Sequence, residues 1–321
     1  MDARSRGYDH AAVHYTSDEE WLAVAVPFLL EAADAGEPAL VSLEPERAEL
    51  LRTALPRSSD VTFLVNNDIY VRPAAAIKEY RAMMAGFVAA GARDIRIFGE
   101  VPKAAIATAW DWWVRYEAAV NHAYDEFPLR SMCAYDVRTT PRHILDDVAR
   151  THPFVATPDG WHHASGRYLD PPAFLATPRP IAPHPIQLTA PLVELTDPTP
   201  SAVRRAVRDV NPTTLPGSEI DDFLLSVTEI VANAQCHGKP PVTVTVWGDS
   251  EHMVVVVHDT GSGPTDPFAG LLPAANPDIG RHHAGFGLWL AHQMCSHVAL
   301  HRDADGFTVR LTAGNPHHNR C

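Results

Sequence analysis

The sequence is poor in lysine, in cysteine and in long apolar runs, and each shortage argues against a class of protein. Only three of its 26 basic residues are lysines and its net charge is −13, so the basic patch typical of a nucleic-acid binder is missing. No apolar run is long enough to span a bilayer. The start, MDARSRGYDH, lacks the apolar core of a signal peptide. We therefore expect a cytoplasmic protein without membrane or direct nucleic-acid contact.

The four cysteines form no CxxC pair, which favours a reduced chain and argues against a zinc knuckle. Three His-His pairs stand at 162–163, 282–283 and 317–318. Adjacent side chains on a helix or strand point apart, and no third ligand stands at metal spacing. The pairs are therefore not predicted to bind a metal ion.

Residues 8 to 150 alternate between apolar strands and amphipathic helices. Such strands predict an α/β domain whose parallel sheet is covered by helices on both faces. No glycine-rich loop with a lysine follows any strand, which argues against a Walker-type nucleotide site. The predicted strands are Ala39–Leu43, Val61–Val65, Ile95–Phe98 and Arg130–Val137, and the long predicted helix is Ala104–Tyr124.

Polar residues flank these elements, at positions where α/β folds place ligands. They are His14, Tyr15, Asn66, Asn67, Asp68, Tyr70, Arg96, Glu100, Glu117, Asn121, Cys133, Tyr135 and Asp136. Each also suits an ordinary surface or core position. Together they resemble the MEDS sensory domain, found in regulators thought to sense small organic molecules. The resemblance implies a sensory domain over residues 8–165 with a small-molecule ligand.

A proline-rich stretch follows, with seven prolines between positions 171 and 191. It predicts an extended linker over residues 166–190, whereas residues 154–165 are expected to pack on the first domain. A second domain is predicted over residues 191–315. The last residues, 316–321, are expected to be a disordered tail.

Glu229, Asn233 and His237 recur every four residues in a predicted helix, which places them along one face. Ser218 and Asp221 predict a capping box near the start of this helix, and the glycine after His237 predicts its end. By itself, the polar stripe is equally typical of a solvated helix surface.

Two glycine clusters follow this helix. Strands predicted over 242–246 and 253–258 lead into Asp259-Thr260-Gly261-Ser262-Gly263, Gly285-Phe286-Gly287-Leu288 opens a helix, and a hairpin is predicted at 298–301 and 307–311. In this order, the motifs resemble the N, G1 and G2 boxes of the GHKL ATP-binding fold, most of all those of anti-sigma-factor serine/threonine kinases. The resemblance implies an α+β two-layer sandwich with a mixed sheet covered by helices.

The resemblance also implies an ATP·Mg²⁺ site. Asp259 would accept a hydrogen bond from the adenine amino group, and Thr308 would bond Asp259 or a water beside adenine, although an exposed strand threonine is equally compatible. Gly261 and Gly263 would let the backbone approach the base and sugar. Asn233 would offer a neutral carbonyl oxygen to Mg²⁺.

The phosphates would meet backbone N–H groups freed by Gly285 and Gly287 at a helix N-terminus, next to Phe286 and Leu288. Glu229 lies one helical turn from Asn233 and is the candidate general base for phosphoryl transfer to a hydroxyl. His237 lies one further turn along. For His237, capping or packing near the nucleotide is favoured over catalysis.

Residues 264–284 would form the lid over the nucleotide. Phosphoryl transfer needs positive charge near the γ-phosphate, yet the lid contains no lysine and Arg281 is its one fixed cation, with His282 and His283 as possible helpers. Four prolines predict an irregular lid. This sequence is compatible with slow turnover or with a function that depends mainly on binding.

The expected function is that of an anti-sigma-factor regulator controlled by a sensory domain. It would bind ATP·Mg²⁺, sequester a sigma factor and phosphorylate a serine or threonine of a STAS-type antagonist, and its kinase branch commonly forms homodimers. One alternative is partner binding without catalysis. A sensor histidine kinase is less favoured, because the nearest phosphoacceptor candidate, His122, ends a predicted helix with no second long helix before the linker.

Overall fold

The computed structural model describes residues 7–65, 72–158, 162–179, 181–273 and 286–314. The chain divides into two compact units, whose main boundary falls between Phe174 and Leu175. No helix in the described ranges is both long and apolar enough to cross a membrane. Each unit has its own sheet and its own core.

The first unit is an α/β domain, as predicted. Its seven-stranded sheet has the order β3-β2-β4-β5-β1-β6-β7, and every pair is parallel except β6 with β7. The strands are β1 (Asp9–Tyr15), β2 (Ala39–Leu43), β3 (Thr62–Val65), β4 (Ile95–Gly99), β5 (Leu129–Asp136), β6 (Phe154–Ala156) and β7 (His162–Ala164). The helices are α1 (Asp18–Asp34), α2 (Pro45–Ala54), α3 (Pro73–Ala89), α4 (Lys103–Thr108), α5 (Trp110–Ala123), α6 (Arg142–Thr151) and α7 (Pro171–Ala176).

Strand β1 lies inside the sheet, between β5 and β6, although it was not among the predicted strands. Its centre, Ala11 to Val13, is fully buried, and so is His10. The apolar run is only three residues long and is flanked by histidines, so the apolar pattern alone did not mark a central strand.

The long helix predicted over Ala104–Tyr124 is wrong, because the chain forms two helices. The backbone leaves the helical region at Ala109, with φ −141° and ψ 29°. Directly after this break, the buried indole of Trp110 donates a hydrogen bond to Asp147 Oδ2 at 3.0 Å. This tertiary contact anchors the start of α5, whereas the helical periodicity of the sequence runs across the break.

The predicted linker contains ordered structure. Residues 154–165 include β6 and β7 and extend the first sheet, as expected. Residues 166–190 include α7 and a short 3₁₀ helix, Pro185–Leu188, with Ile186 buried. The prolines therefore begin helical turns at these places instead of keeping the whole stretch extended.

The second unit is an α+β sandwich, as predicted, although its described strands all pair antiparallel where we expected a mixed sheet. The strand order is β11-β12-β10-β9-β8. The strands are β8 (Val193–Thr196), β9 (Thr243–Gly248), β10 (Met253–Asp259), β11 (His297–Arg302) and β12 (Phe307–Ala313). The helices are α8 (Pro200–Val210), α9 (Gly217–His237) and α10 (Phe286–Met294).

Helix α9 is the central helix of the second unit and contacts both α8 and α10. Its apolar stripe, which includes Phe223, Val227 and Val231, is buried. The predicted capping box is wrong, because the helix begins at Gly217 after Pro216, and no side chain caps it. Ser218 is thus already inside the first turn. The helix ends before Gly238, as predicted.

Candidate functional site

The polar face of α9 carries three of the predicted site residues. Glu229 and Asn233 are partly buried, and His237 is exposed at the last position of the helix. The spacing of four residues places these side chains one above the other, as expected for a helix. Glu229 and Asn233 therefore form a single polar surface that a neighbouring element can contact.

Gly287, the second residue of α10, lies against this polar surface. A Cβ atom added at Gly287 would lie 2.8 Å from Asn233 Nδ2 and 3.1 Å from Glu229 Oε2. A side chain at position 287 would therefore have to displace the Asn233 amide. The fold thus brings the first predicted motif against the last, although they are more than fifty residues apart in the sequence.

Asp259 ends β10 and is 5% exposed. Its Oδ1 accepts hydrogen bonds from the backbone N–H groups of Lys239, at 3.0 Å, and Gly261, at 2.7 Å. A carboxylate oxygen held by two backbone donors has a fixed orientation. Oδ2 remains for a donor on a ligand.

Glycines surround Asp259 closely. A Cβ atom at Gly238 or Gly261 would lie 2.5 or 2.6 Å from Asp259 Oδ1, and one at Gly306 would lie 2.0 Å from the Asp259 carbonyl oxygen. Gly263 has φ +66°, and a Cβ there would strike the ring of Phe307. Small residues at these positions therefore keep the carboxylate accessible and its backbone in place.

A cavity of about 430 Å³ connects these residues. Its volume lies within the usual range for small-molecule sites. The predicted residues that line it are Asn233, His237, Asp259, Gly263 and Leu288. Gly261 and Gly287 lie behind this lining, against Asp259 and Asn233 respectively.

The apolar wall of the cavity was not predicted from the sequence. This wall includes Ile230, Ala234, Val257, Phe307 and Val309. Two simple periodicities could have identified part of it. Ile230 and Ala234 flank Asn233 on the same helix face, and Val257 lies two residues before Asp259 on the same face of β10. A flat apolar ring system suits such a wall next to a fixed carboxylate.

The role expected for Thr308 is wrong. In the register of β10 with β12, Thr308 is opposite His258, and Asp259 is opposite Phe307. Thr308 Oγ1 lies 3.0 Å from His258 Nδ1. Because neighbouring residues of a strand point to opposite faces, Thr308 lies on the other side of the sheet from the cavity.

The second glycine motif is only partly described. Leu288 lines the cavity, whereas Phe286 is 44% exposed and its ring lies 5.2 Å from that of Trp289. Arg281, Gly285, His282 and His283 lie outside the described residues. Of the predicted lid, residues 264–273 are described, and Pro264, Thr265, Asp266, Ala269 and Leu272 line the cavity.

The polar residues expected around the first sheet fall into separate groups. Tyr15 donates a hydrogen bond to Glu100 at 3.1 Å, and buried Arg96 donates to the Phe28 carbonyl oxygen at 2.7 Å. Asp136 accepts from Arg138, and the His14 and Tyr135 rings lie 6.5 Å apart. Glu117, Asn121 and Cys133 converge on His10 and His152, two histidines that were not predicted as site residues. Residues 66–70 lie outside the described ranges.

Comparison with known families identifies both units. Residues 9–153 match the MEDS domain, described as the methanogen/methylotroph, DcmR sensory domain. Residues 195–313 match the histidine kinase-like ATPase domain. The chain therefore carries a sensory domain fused to a histidine kinase-like ATPase domain.

Among solved structures, the mycobacterial sensor histidine kinase MprB is similar to 39% of this chain and 98% of its own, with 20% sequence identity and a TM-score of 0.25. No curated protein matches the chain.

The ATPase fold implies ATP, usually with Mg²⁺, and the cavity fits that ligand. A fixed carboxylate beside an apolar wall suits a purine with an exocyclic amino group. The amide of Asn233 suits a hard cation, and Gly287 brings the backbone at the start of α10 close to that amide. An anion at a helix N-terminus is stabilised by the free N–H groups there.

Proposed function

We propose that the protein is an ATP·Mg²⁺-dependent switch of the anti-sigma-factor type, controlled by its MEDS domain. The observation that carries the proposal is the contact of Gly287 with Asn233 and Glu229 next to the Asp259 cavity. This contact brings a purine acceptor, a cation ligand and a helix N-terminus around one cavity. The MEDS domain adds a sensory input.

Each residue has a distinct task in this proposal. Asp259 Oδ2 accepts from the adenine amino group while Oδ1 remains bonded to the backbone. Asn233 holds the cation, and the first turn of α10 faces the phosphates. Bound ATP supplies a transferable phosphoryl group. Glu229 accepts the proton of a serine or threonine hydroxyl on the partner.

We propose a STAS-type antagonist as the phosphorylated partner and a sigma factor as the sequestered one. The support for this choice is sequence similarity of the boxes, above all a glutamate four residues before the asparagine and His-Gly four and five residues after it. The predicted lid, residues 264–284, carries little positive charge, since Arg281 is its one lysine or arginine. This shortage favours slow turnover of ATP. Slow turnover suits a switch that must hold one state.

Calorimetric titration with ATP·Mg²⁺ tests the nucleotide site. We expect wild type to bind and Asp259→Asn to lose about 100-fold or more in affinity, because its amide would present a donor to the adenine amino group. The Asn side chain can still accept from both backbone donors, so the fold is expected to persist. Asn233→Ala is expected to lose the dependence of binding on Mg²⁺. No binding by correctly folded wild type would overturn the proposal.

Phosphotransfer tests the catalytic role. STAS proteins encoded in the same genome are incubated with ATP·Mg²⁺ and the wild type or Glu229→Gln, and phosphorylation is read by intact-protein mass spectrometry. We expect transfer by wild type and a loss on the order of 100-fold or more in the variant, with ATP affinity nearly unchanged. Equal transfer rates would remove Glu229 from the chemistry. ATP-dependent partner binding without any transfer would favour the non-catalytic alternative.

A further inference from the structure

A second set of converging polar groups lies in the first unit. His10 on β1, Glu117 on α5, Cys133 on β5 and His152 after α6 each direct one metal-ligating atom to a common centre. The four atoms lie within 4.8 Å of one another. His10, Glu117 and His152 are at most 1% exposed.

The distances within this centre are those of a small coordination sphere. His10 Nε2 lies 3.5 Å from Glu117 Oε2 and 3.4 Å from Cys133 Sγ. His152 Nε2 lies 3.4 Å from Glu117 Oε2. Ligand atoms at zinc distances of about 2.0–2.3 Å in a tetrahedron lie roughly 3.3–3.8 Å apart. These three separations fall in this range, and all four ligand atoms lie within 4.8 Å of one another.

The outer hydrogen bonds orient both imidazoles towards the centre. Asn121 Nδ2 donates to the carbonyl oxygens of Glu117, Ala118 and Thr151, which leaves Asn121 Oδ1 as the acceptor from His10 Nδ1 at 3.1 Å. His152 Nδ1 donates to the Val148 carbonyl oxygen at 3.0 Å. The hydrogen-bond network thus assigns each proton to Nδ1 and each free lone pair to Nε2. Metal-binding histidines are held in this way.

Several buried polar atoms at this centre lack a close partner. In the part of the chain that the structure describes, neither carboxylate oxygen of Glu117 and no lone pair of His152 Nε2 has a partner in hydrogen-bond geometry. The donors that face the centre are the Cys133 thiol, 3.4 Å from His10 Nε2, and the Tyr135 hydroxyl next to Glu117. A cation at the centre would instead bind the lone pairs of His10, Glu117 and His152 together.

We propose that His10, Glu117, Cys133 and His152 bind one divalent transition-metal ion, for which zinc is the best match. Mixed nitrogen, sulfur and oxygen ligands in a four-coordinate arrangement suit zinc. A carboxylate and a thiolate together cancel the two positive charges of the ion, so the complex is neutral and can be buried. Binding displaces to solvent the proton of the Cys133 thiol and, where Glu117 is protonated, the proton of its carboxyl group as well.

A small cavity adjoins the proposed site. Its volume is about 30 Å³, and three of the four ligands line it, together with aromatic residues that include Tyr8, Tyr116 and Tyr124. Space of this size holds about one water molecule. The ion would therefore have access to one additional ligand of the size of water, and not to a larger organic molecule.

The test uses tag-free, full-length protein stripped with a chelator and titrated with Co²⁺, which reports thiolate ligands and tetrahedral geometry by its absorption. We expect wild type to bind one equivalent with a thiolate-to-cobalt charge-transfer band, and zinc to displace it. Cys133→Ser should lose the band. His152→Gln should bind roughly 10-fold or more weakly. Cys236→Ser, which removes an exposed thiol of α9, should behave as wild type.

Three results would overturn the proposal. One is a folded wild type that takes up no stoichiometric Co²⁺, a measurement that does not depend on any variant folding. A second is a charge-transfer band that persists in Cys133→Ser. The third is loss of the band in Cys236→Ser, because the thiolate ligand would then lie in the other unit.

Discussion

At the scale of the residue, Gly287 tests how closely the two ends of the nucleotide site must approach. A methyl group there would displace the Asn233 amide, whose nitrogen would be 2.8 Å away. Because an amide at the end of a side chain can rotate away, we expect Gly287→Ala to change the free energy of unfolding by less than about 1 kcal/mol. ATP·Mg²⁺ binding should weaken about tenfold, or 1.4 kcal/mol, as measured by calorimetry.

Gly86 is the matched control for this substitution. It also lies in a helix, α3, but a Cβ atom there would have no neighbour within 4 Å. Gly86→Ala should therefore stabilise the protein by about 0.5–1 kcal/mol through helix propensity and leave nucleotide binding unchanged. If Gly287→Ala bound ATP·Mg²⁺ as tightly as Gly86→Ala does, the contact with Asn233 would have no part in binding.

The buried carboxyl group of Glu100 is expected to make the stability of the fold depend on pH. Burial raises the pKa of its carboxyl group to about 7, against the opposing effects of Arg47 and the Tyr15 hydrogen bond. A pKa that is higher in the folded state means that stability is lost as the pH rises from about 4.5, the unfolded value, to about 7. Glu100→Gln removes this loss. The stability gained by Glu100→Gln should therefore be larger at pH 8 than at pH 5, by about 2 kcal/mol, in denaturant titrations.

Glu20 serves as the control for Glu100. Hydrogen bonds from Thr16 lower the pKa of the Glu20 carboxyl group, so this group is mostly ionised in both states between pH 5 and pH 8. The effect of Glu20→Gln should be the same at the two pH values. If the stability gained by Glu100→Gln did not increase with pH, the Glu100 carboxyl group would be ionised in the folded state without loss of stability.

Single residues also show which site features could be predicted. The shared face of Glu229 and Asn233 could be predicted because both residues lie on one helix. Asp259 could be predicted as a site residue because a glycine cluster follows its strand. The side on which Thr308 lies depends on strand register, which follows from pairing across the sheet. His10 and His152 are brought together by the order of the strands, and no local pattern contains that information.

At the scale of the element, the hairpin of β11 and β12 packs against the end of β10 at Asp259 and Thr260. Gly306 in its turn has φ +149°, and a Cβ atom there would lie 2.0 Å from the Asp259 carbonyl oxygen. Backbone atoms cannot rotate away as a side chain can. Gly306→Ala should therefore destabilise the protein by about 3 kcal/mol or more and weaken ATP·Mg²⁺ binding, as measured by thermal unfolding and calorimetry.

Gly36→Ala is the control that distinguishes backbone strain at a positive φ from steric crowding around the added methyl group. Gly36 also has a positive φ, +70°, but a Cβ atom there would meet no atom within 4 Å. Gly36→Ala should cost only about 1 kcal/mol, the price of the left-handed conformation, and leave ATP·Mg²⁺ binding intact. Equal losses of stability in the two variants would mean that the hairpin turn moves freely away from Asp259.

Elements were predictable where the local pattern agreed with the final packing. The apolar strands β2 and β4 and the amphipathic helix α9 were found within a few residues. The strands β1 and β8 were missed because their apolar runs are short and pairing with neighbours stabilises them. The break at Ala109 depends on a contact between Trp110 and Asp147, which are distant in sequence.

At the scale of the whole molecule, two ligands of different chemistry are assigned to two different units. The proposed metal ligands all belong to the first unit, whereas the residues of the nucleotide cavity all belong to the second. A ligand that binds only the folded state stabilises the unit that holds it. The two proposals can therefore be distinguished in a single experiment on the intact chain.

Differential scanning calorimetry of the full-length protein should resolve two transitions, one for each core. ATP·Mg²⁺ at 100 times its dissociation constant should stabilise one unit by about 2.7 kcal/mol and raise one transition temperature by several degrees, but not in Asp259→Asn. Chelation should lower the other transition, but not in Cys133→Ser. If ATP·Mg²⁺ raised both transitions in wild type, nucleotide binding would be coupled energetically to the sensory domain.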